Sequence, residues 1–314
     1  MIAVGGENLI DLVQEKDALP RVSYAAIPGG SPFNCAIACA RQGVPTAYLT
    51  PVSQDSLGLL LADRLTESHV TLAGGRRPEP TSLAVVSLDG GHTRYEFYRE
   101  GTAERQIDPA QLAAALPAGA RIFHVGSLAL VGGDDAGHWE SFFAQCHRDG
   151  LLTSLDPNVR PSLISDRDTY IARLERMFQH SDVLKLSDED LEWLYPGRDF
   201  DAAVALIRKK TIAALIVITR AEKGAVAVSN AGQCSIPAAK VDPFVDAVGA
   251  GDTFMATLLR QLIDLAAVSH AGVQALSLDQ VARCLTVASQ AAALNCQEKG
   301  CNPPSLAALE QALA

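Results

Sequence analysis

The 314-residue chain lacks any apolar run long enough to cross a bilayer, and its first residues, Met1-Ile2-Ala3-Val4-Gly5-Gly6-Glu7, carry neither a basic start nor a cleavage site. A membrane span and a signal peptide are therefore not expected. Positive charge is also scarce. Lys and Arg number 26 against 36 Asp and Glu, a formal net charge of −10, which leaves no electrostatic footprint for nucleic acid or an anionic membrane. The seven cysteines (Cys35, Cys39, Cys146, Cys234, Cys284, Cys296, Cys301) are odd in number and follow no disulfide or metal-ligand spacing. Cys35 and Cys39 share a helix face at i, i+4 with no histidine beside them, so core thiols in a reducing compartment are expected. The seven histidines form no metal-binding pattern. His124, at the end of an apolar run, reads as a core histidine. Ser127 lacks the flanking pattern of a hydrolase nucleophile. There is no repeat, low-complexity tract or charged tail. A cytoplasmic protein acting on a small molecule is what these absences leave.

Apolar residues make up 48% of the chain, enough for a large core. Short aliphatic runs read as buried parallel strands: 2–4, 47–49, 122–125, 152–155, 183–186 and 215–218. Helical patterns at 32–42, 57–68, 136–149, 168–179 and 200–209 separate them, and beyond Gly251 the pattern is helical, with a long Ala-rich helix over 278–296. This alternation predicts a doubly wound α/β sheet, whose ligands gather at the carboxyl ends of its strands. Two stretches break the alternation. Residues 81–88 and 93–99 read as strands joined at Asp89-Gly90-Gly91, and about 9–27 reads as extended. Together they predict a small sheet that serves as a lid, a dimerisation edge or both.

The most informative segment is Asp246-Ala247-Val248-Gly249-Ala250-Gly251-Asp252, followed by the apolar start of a helix. Small residues let the backbone approach a ligand, and amides at a helix N-terminus bind anions. The turn lacks the Lys-Ser/Thr ending of a P-loop, which argues against a Walker-type NTPase. Asp252 reads as both N-cap and general base. An anion cradle with a carboxylate beside it suggests phosphoryl transfer to a hydroxyl. Upstream, Pro28-Gly29-Gly30-Ser31-Pro32-Phe33-Asn34 reads as a second cradle at a helix start, with Asn34 able to donate and to accept.

The two segments together resemble the signature pair of the ribokinase-like, or PfkB, carbohydrate kinases, and the resemblance extends over essentially the whole chain. It implies a ribokinase-like doubly wound, mainly parallel sheet flanked by helices. A single α/β kinase domain would cover 1–314, with a β lid from about 9–27 and 81–101, in a homodimer. Asp252 then corresponds to the catalytic base, and the amides of Gly249, Ala250 and Gly251 to the anion hole for the transferring phosphoryl group. Gly29, Gly30 and Asn34 would bind the sugar. So would Asp11, in the fructokinase-like opening Gly6-Glu7-Asn8-Leu9-Ile10-Asp11, with Phe97 and Arg99 from the lid and Arg160 from Asp156-Pro157-Asn158-Val159-Arg160.

The nucleotide would meet Lys185, Ser187, Thr219, Ala221, Gly224 and Ser289, with Ala221 standing where the family carries glycine. Asp190, in place of the family's Glu, would contact Mg²⁺ through water. Asp246 either binds a monovalent cation such as K⁺ or caps its loop. ATP and Mg²⁺ are the implied cofactors. Fructose is the favoured acceptor. The alternatives are 2-keto-3-deoxygluconate, which would need Arg99 or Arg160 for its carboxylate, and a catalytically silent sugar-binding relative.

Overall fold

The structure, a computed structural model, describes residues 1–15, 22–89 and 92–314; for 88, 89 and 92–95 only the backbone is described. In chain order the first strands and helices are β1 (Ile2–Val4), β2 (Leu9–Gln14), β3 (Tyr24–Gly29), α1 (Ser31–Arg41), β4 (Thr46–Tyr48), β5 (Val52–Ser53) and α2 (Ser56–Glu67). There follow β6 (Thr71–Leu72), β7 (Arg76–Arg77), β8 (Leu83–Asp89), β9 (His92–Tyr98), α3 (Pro109–Ala115), β10 (Ile122–Gly126), α4 (Gly133–Arg148), β11 (Leu152–Asp156) and α5 (Arg167–Phe178). The rest comprises β12 (Val183–Ser187), α6 (Asp188–Leu194), α7 (Phe200–Lys210), β13 (Leu215–Thr219), β14 (Ala225–Ser229) and β15 (Gly232–Ile236). Helices α8 (Ala250–Asp264), α9 (His270–Gln274), α10 (Leu278–Asn295) and α11 (Leu306–Leu313) close the chain.

Nine strands form the main sheet in the order β15-β14-β13-β12-β11-β10-β1-β4-β6. Strands from β6 to β13 pair in parallel, while β14 and β15 add an antiparallel edge. The six parallel runs read from sequence all lie in this sheet. The β14–β15 hairpin was not anticipated, because its outer strand is largely exposed and lacks the continuous apolar signal of its neighbours.

Side chains alternate between two cores. Ile2, Val4, Ile122, Leu152, Val183, Leu215 and Val217 pack under α1, α2, α8 and α10. Ala3, Phe123, Val125, Leu155, Leu184, Leu186, Ile216 and Ile218 pack against α3, α4, α5, α6 and α7. This is the period of two that a sheet covered on both faces imposes.

A second sheet, β3-β2-β8-β9, has antiparallel outer pairs about a parallel β2–β8 contact. It is the small sheet expected from 9–27 and 81–101, although the Gly90-Gly91 tip and residues 16–21 lie outside the described residues. All seven cysteines are free thiols. His124 is buried against the Ser154 hydroxyl at 3.0 Å, as a core histidine. Among the described residues, no helix is long and apolar enough to cross a membrane.

Candidate active site

Helices α1 and α8 pack side by side, and the carboxylate of Asp252 joins their N-terminal turns. Gly249, in a left-handed conformation (φ 77°), is the N-cap of α8, and Asp252 is the third residue of the helix. The expected capping role is thus corrected: Asp252 leaves the cap to Gly249 and turns its carboxylate to α1. One oxygen accepts from the Ser31 hydroxyl at 2.6 Å and the other from the Asn34 amide at 2.9 Å. Burial raises the pKa of Asp252, and nearby Asp156 adds to this; the Ser31 and Asn34 hydrogen bonds and Lys185 oppose it. A carboxylate raised in this way, yet held in one orientation, has the properties of a general base.

The α8 turn leaves backbone donors beside that carboxylate. Thr253 is the first helix amide to reach an i−4 carbonyl, that of Gly249, so the amides of Gly251 and Asp252 precede the regular ladder. The Ala250 amide is used differently from the expectation for the hole, since it donates to the Ala247 carbonyl at 3.2 Å. Gly249 must be glycine here, because its φ is positive and a Cβ would collide with the Cys301 sulfur.

The Gly29-Gly30 cradle lies at the α1 start. A Cβ on Gly29 would come within 2.5 Å of an Asp11 carboxylate oxygen, so the two predicted sugar contacts are neighbours. Burial pushes the Asp11 carboxyl up to about 6. The Asn34 amide nitrogen is engaged with Asp252. Arg99 is likewise committed, being buried with Nε and Nη2 on the two oxygens of Glu104 at 2.8 and 3.2 Å and Nη1 on the Leu128 carbonyl at 3.1 Å. Arg160 is exposed and folds its guanidinium onto the Asn158 and Val159 oxygens. Phe97 packs with Leu9, Ala84 and Leu128 at the root of the small sheet. With Arg99, Arg105 and His138 it lines a cavity of about 880 Å³, which Asp252 and Asn34 do not line. Asp252, Ser31 and Asn34 meet at the helix starts, outside the lining of that cavity.

Toward the other side of the sheet ends, Ser187 and Asp190 form a capping box on α6. The oxygens of Asp190 accept the amides of Ser187 at 2.8 Å and Val159 at 2.7 Å, so the residue ties two loops together. Among the described residues, no group of three or more His, Cys, Asp or Glu is arranged to hold a metal ion. Asp246 acts as the loop cap, accepting the Val248 and Gly300 amides. The Ser289 hydroxyl accepts the Ala239 amide at 2.9 Å. Thr219 ends β13, and Ala221 adopts φ 46°, keeping the left-handed turn that glycine favours, before Gly224 at φ 84°. Lys185 is buried and paired with Asp156 at 2.7 Å.

Sequence reasoning missed Ser31, Glu7 and Asp156 as site residues, though each lies inside a segment it had singled out. The buried Glu7 carboxylate accepts the first amide of α1, that of Ser31, at 3.0 Å, and the Ala129 amide at 3.3 Å. Burial drives its pKa up to about 7, against the opposing pull of Arg99. An acidic residue just past a strand end, near a Gly-Gly helix start, was the available signal.

The chain as a whole is similar to known sugar kinases. The family model described as pfkB family carbohydrate kinase matches residues 1–308. A fructokinase of Rhizobium leguminosarum bv. trifolii is 37% identical over 265 residues, covering 83% of this chain and 79% of the relative. Among solved structures, a fructokinase from Xylella fastidiosa with bound ATP superposes with a TM-score of 0.90 at 26% identity, covering 99% of this chain and 97% of that one. The fructokinase of Vibrio cholerae O395 in its fructose, ADP and calcium ion bound form gives 0.83 at 26% identity, covering 100% and 98%.

Proposed function

The chain belongs to the pfkB family of carbohydrate kinases, and from that premise we propose that it transfers the γ-phosphoryl group of ATP to a hydroxyl of fructose. The observation that carries the reading is the Asp252 carboxylate, buried at the α8 start and fixed by Ser31 and Asn34. The sugar oxygen attacks the γ-phosphorus, the bond from that phosphorus to the bridging oxygen of ADP breaks, and the hydroxyl proton passes to Asp252. The hole amides at the α8 start meet the charge on the transferring group. Asp11 and the Gly29-Gly30 backbone hold sugar hydroxyls, a task that suits a carboxylate as a strong acceptor.

Fructose is favoured over 2-keto-3-deoxygluconate because Arg99, one of the two arginines available to a keto acid's carboxylate, already serves Glu104. Mg²⁺ arrives with ATP, and the main chain near Asp246 is where a K⁺ ion would bind. The four-stranded sheet acts as the lid and as the contact in a homodimer, and the protein works in the cytoplasm. Light scattering that gives the monomer mass would sink the dimer.

The first experiment is ADP release with fructose and with 2-keto-3-deoxygluconate, in the wild type and Asp252→Asn. Turnover with fructose, with kcat reduced about 10³-fold or more in the variant, is expected. The wild-type rate should fall on the acid side at a pH above the ordinary carboxylate range, because Asp252 must be ionised to accept the proton. Turnover with the keto acid alone would replace the substrate, and a fully active variant would remove the base.

A further inference from the structure

Lys185, the candidate nucleotide contact, is half of a buried charge pair whose other member, Asp156, the mechanism above leaves without a role. Asp156 ends β11 and is 2% exposed. Its Oδ2 accepts from Lys185 Nζ at 2.7 Å, while its Oδ1, also buried, has no hydrogen-bond partner among the described residues. Lys185 Nζ lies 3.5 Å from the point a Cβ on Gly251 would occupy, beside the backbone of the predicted hole.

The placement follows from the alternation of the strands. Asp156 shares the parity of Leu152, and Lys185 that of Val183, so both point to the face covered by α1 and α8. A carboxylate oxygen left unpartnered in a core costs stability, so packing alone does not favour the arrangement. The ammonium keeps its charge there because Asp156 first, then Asp190 and Asp252, outweigh the burial that disfavours it.

Resting on the kinase reading of this site, we infer that Asp156 is a positioning residue that holds the Lys185 ammonium beside Gly251, where it meets the negative charge of the transferring phosphoryl group. A lysine is a point charge on a flexible four-carbon stem, so its value to a transition state depends on what anchors it. A fixed cation acts in a water-poor site without reorganising during the transfer. Asp156 contacts neither substrate in this account and works only through Lys185.

A double-substitution cycle tests this: Asp156→Asn, Lys185→Met and the pair together, assayed for kcat and sugar KM, with ATP and ADP affinities measured directly by calorimetry. Lys185→Met should lower kcat roughly 100-fold and Asp156→Asn roughly tenfold, with sugar KM unchanged. The double variant should be no worse than Lys185→Met, and each single variant should lose preference for ATP over ADP. Wild-type kcat and ATP preference in Asp156→Asn would overturn the inference. So would losses that multiply in the double variant, or a loss confined to sugar KM. If Asp156→Asn does not fold, the double variant, which removes both charges, is compared with Lys185→Met on the same criteria. If the wild type phosphorylates no sugar, the kinase reading fails, while the ATP-against-ADP comparison still decides the role of Asp156.

Discussion

Ser31 and Asn34 both hold Asp252, but Ser31 does so from the first residue of α1, whose amide is fixed by Glu7. A hydroxyl donated to a carboxylate stabilises its charged form. Ser31→Ala should therefore raise the pKa of Asp252 further and move the acid limb of the pH–rate profile to higher pH. The expected loss in kcat at neutral pH is about tenfold, recovered in part as pH rises. A loss independent of pH would mean that Ser31 contributes shape alone. Asp252 itself was legible in the sequence because the small residues before it announce a helix start. Its hydrogen-bond partners were not, since Ser31 and Asn34 lie more than 200 positions away.

The site's precision comes from elements that are themselves immobilised. In α8, Met255, Ala256, Leu258, Leu259 and Leu262 are fully buried, so the helix bearing Asp252 is anchored along its length. Leu259→Ala should cost about 2–5 kcal/mol, read from denaturant unfolding. The turn after β13 is less well fitted to its sequence. Ala221 at φ 46° holds a conformation that costs an L-residue about 1 kcal/mol, so Ala221→Gly should stabilise by about 0.5–1 kcal/mol. Gly224→Ala should destabilise, because its φ is positive and the Ile236 carbonyl stands where the Cβ would go. Thermal melts of the two variants moving in the same direction would refute this account of the turn.

For the molecule as a whole, Glu7 links the α1 start to Arg99 and Glu104 at the root of the small sheet. Its pKa is about 7 in the folded protein against 4.5 as reference, so the folded state binds the proton more tightly than the unfolded chain. Glu7 is thus expected to withdraw stability as pH rises from about 4.5 to 7, by up to about 3 kcal/mol at higher pH. Glu7→Gln should gain on the wild type between pH 5 and 8 in chemical denaturation, whatever its offset at pH 5. A stability difference constant over that range would show that the carboxyl does not titrate on folding.

The α/β architecture, the two helix starts and Asp252 as the candidate base were legible in the residues alone. Those features rest on local signals: apolar runs of strand length, helical periodicity and glycines where the backbone must turn or come close. Which side chains share a hydrogen bond was set by the folded arrangement. It turned Asn34 and Ser31 to Asp252, closed Arg99 onto Glu104, gave Asp190 and Asp246 to backbone amides, and set Lys185 on Asp156 beneath α8. A polar side chain's residue type states what it can bond, but its partner is fixed by which strand ends and helix starts the sheet order brings together.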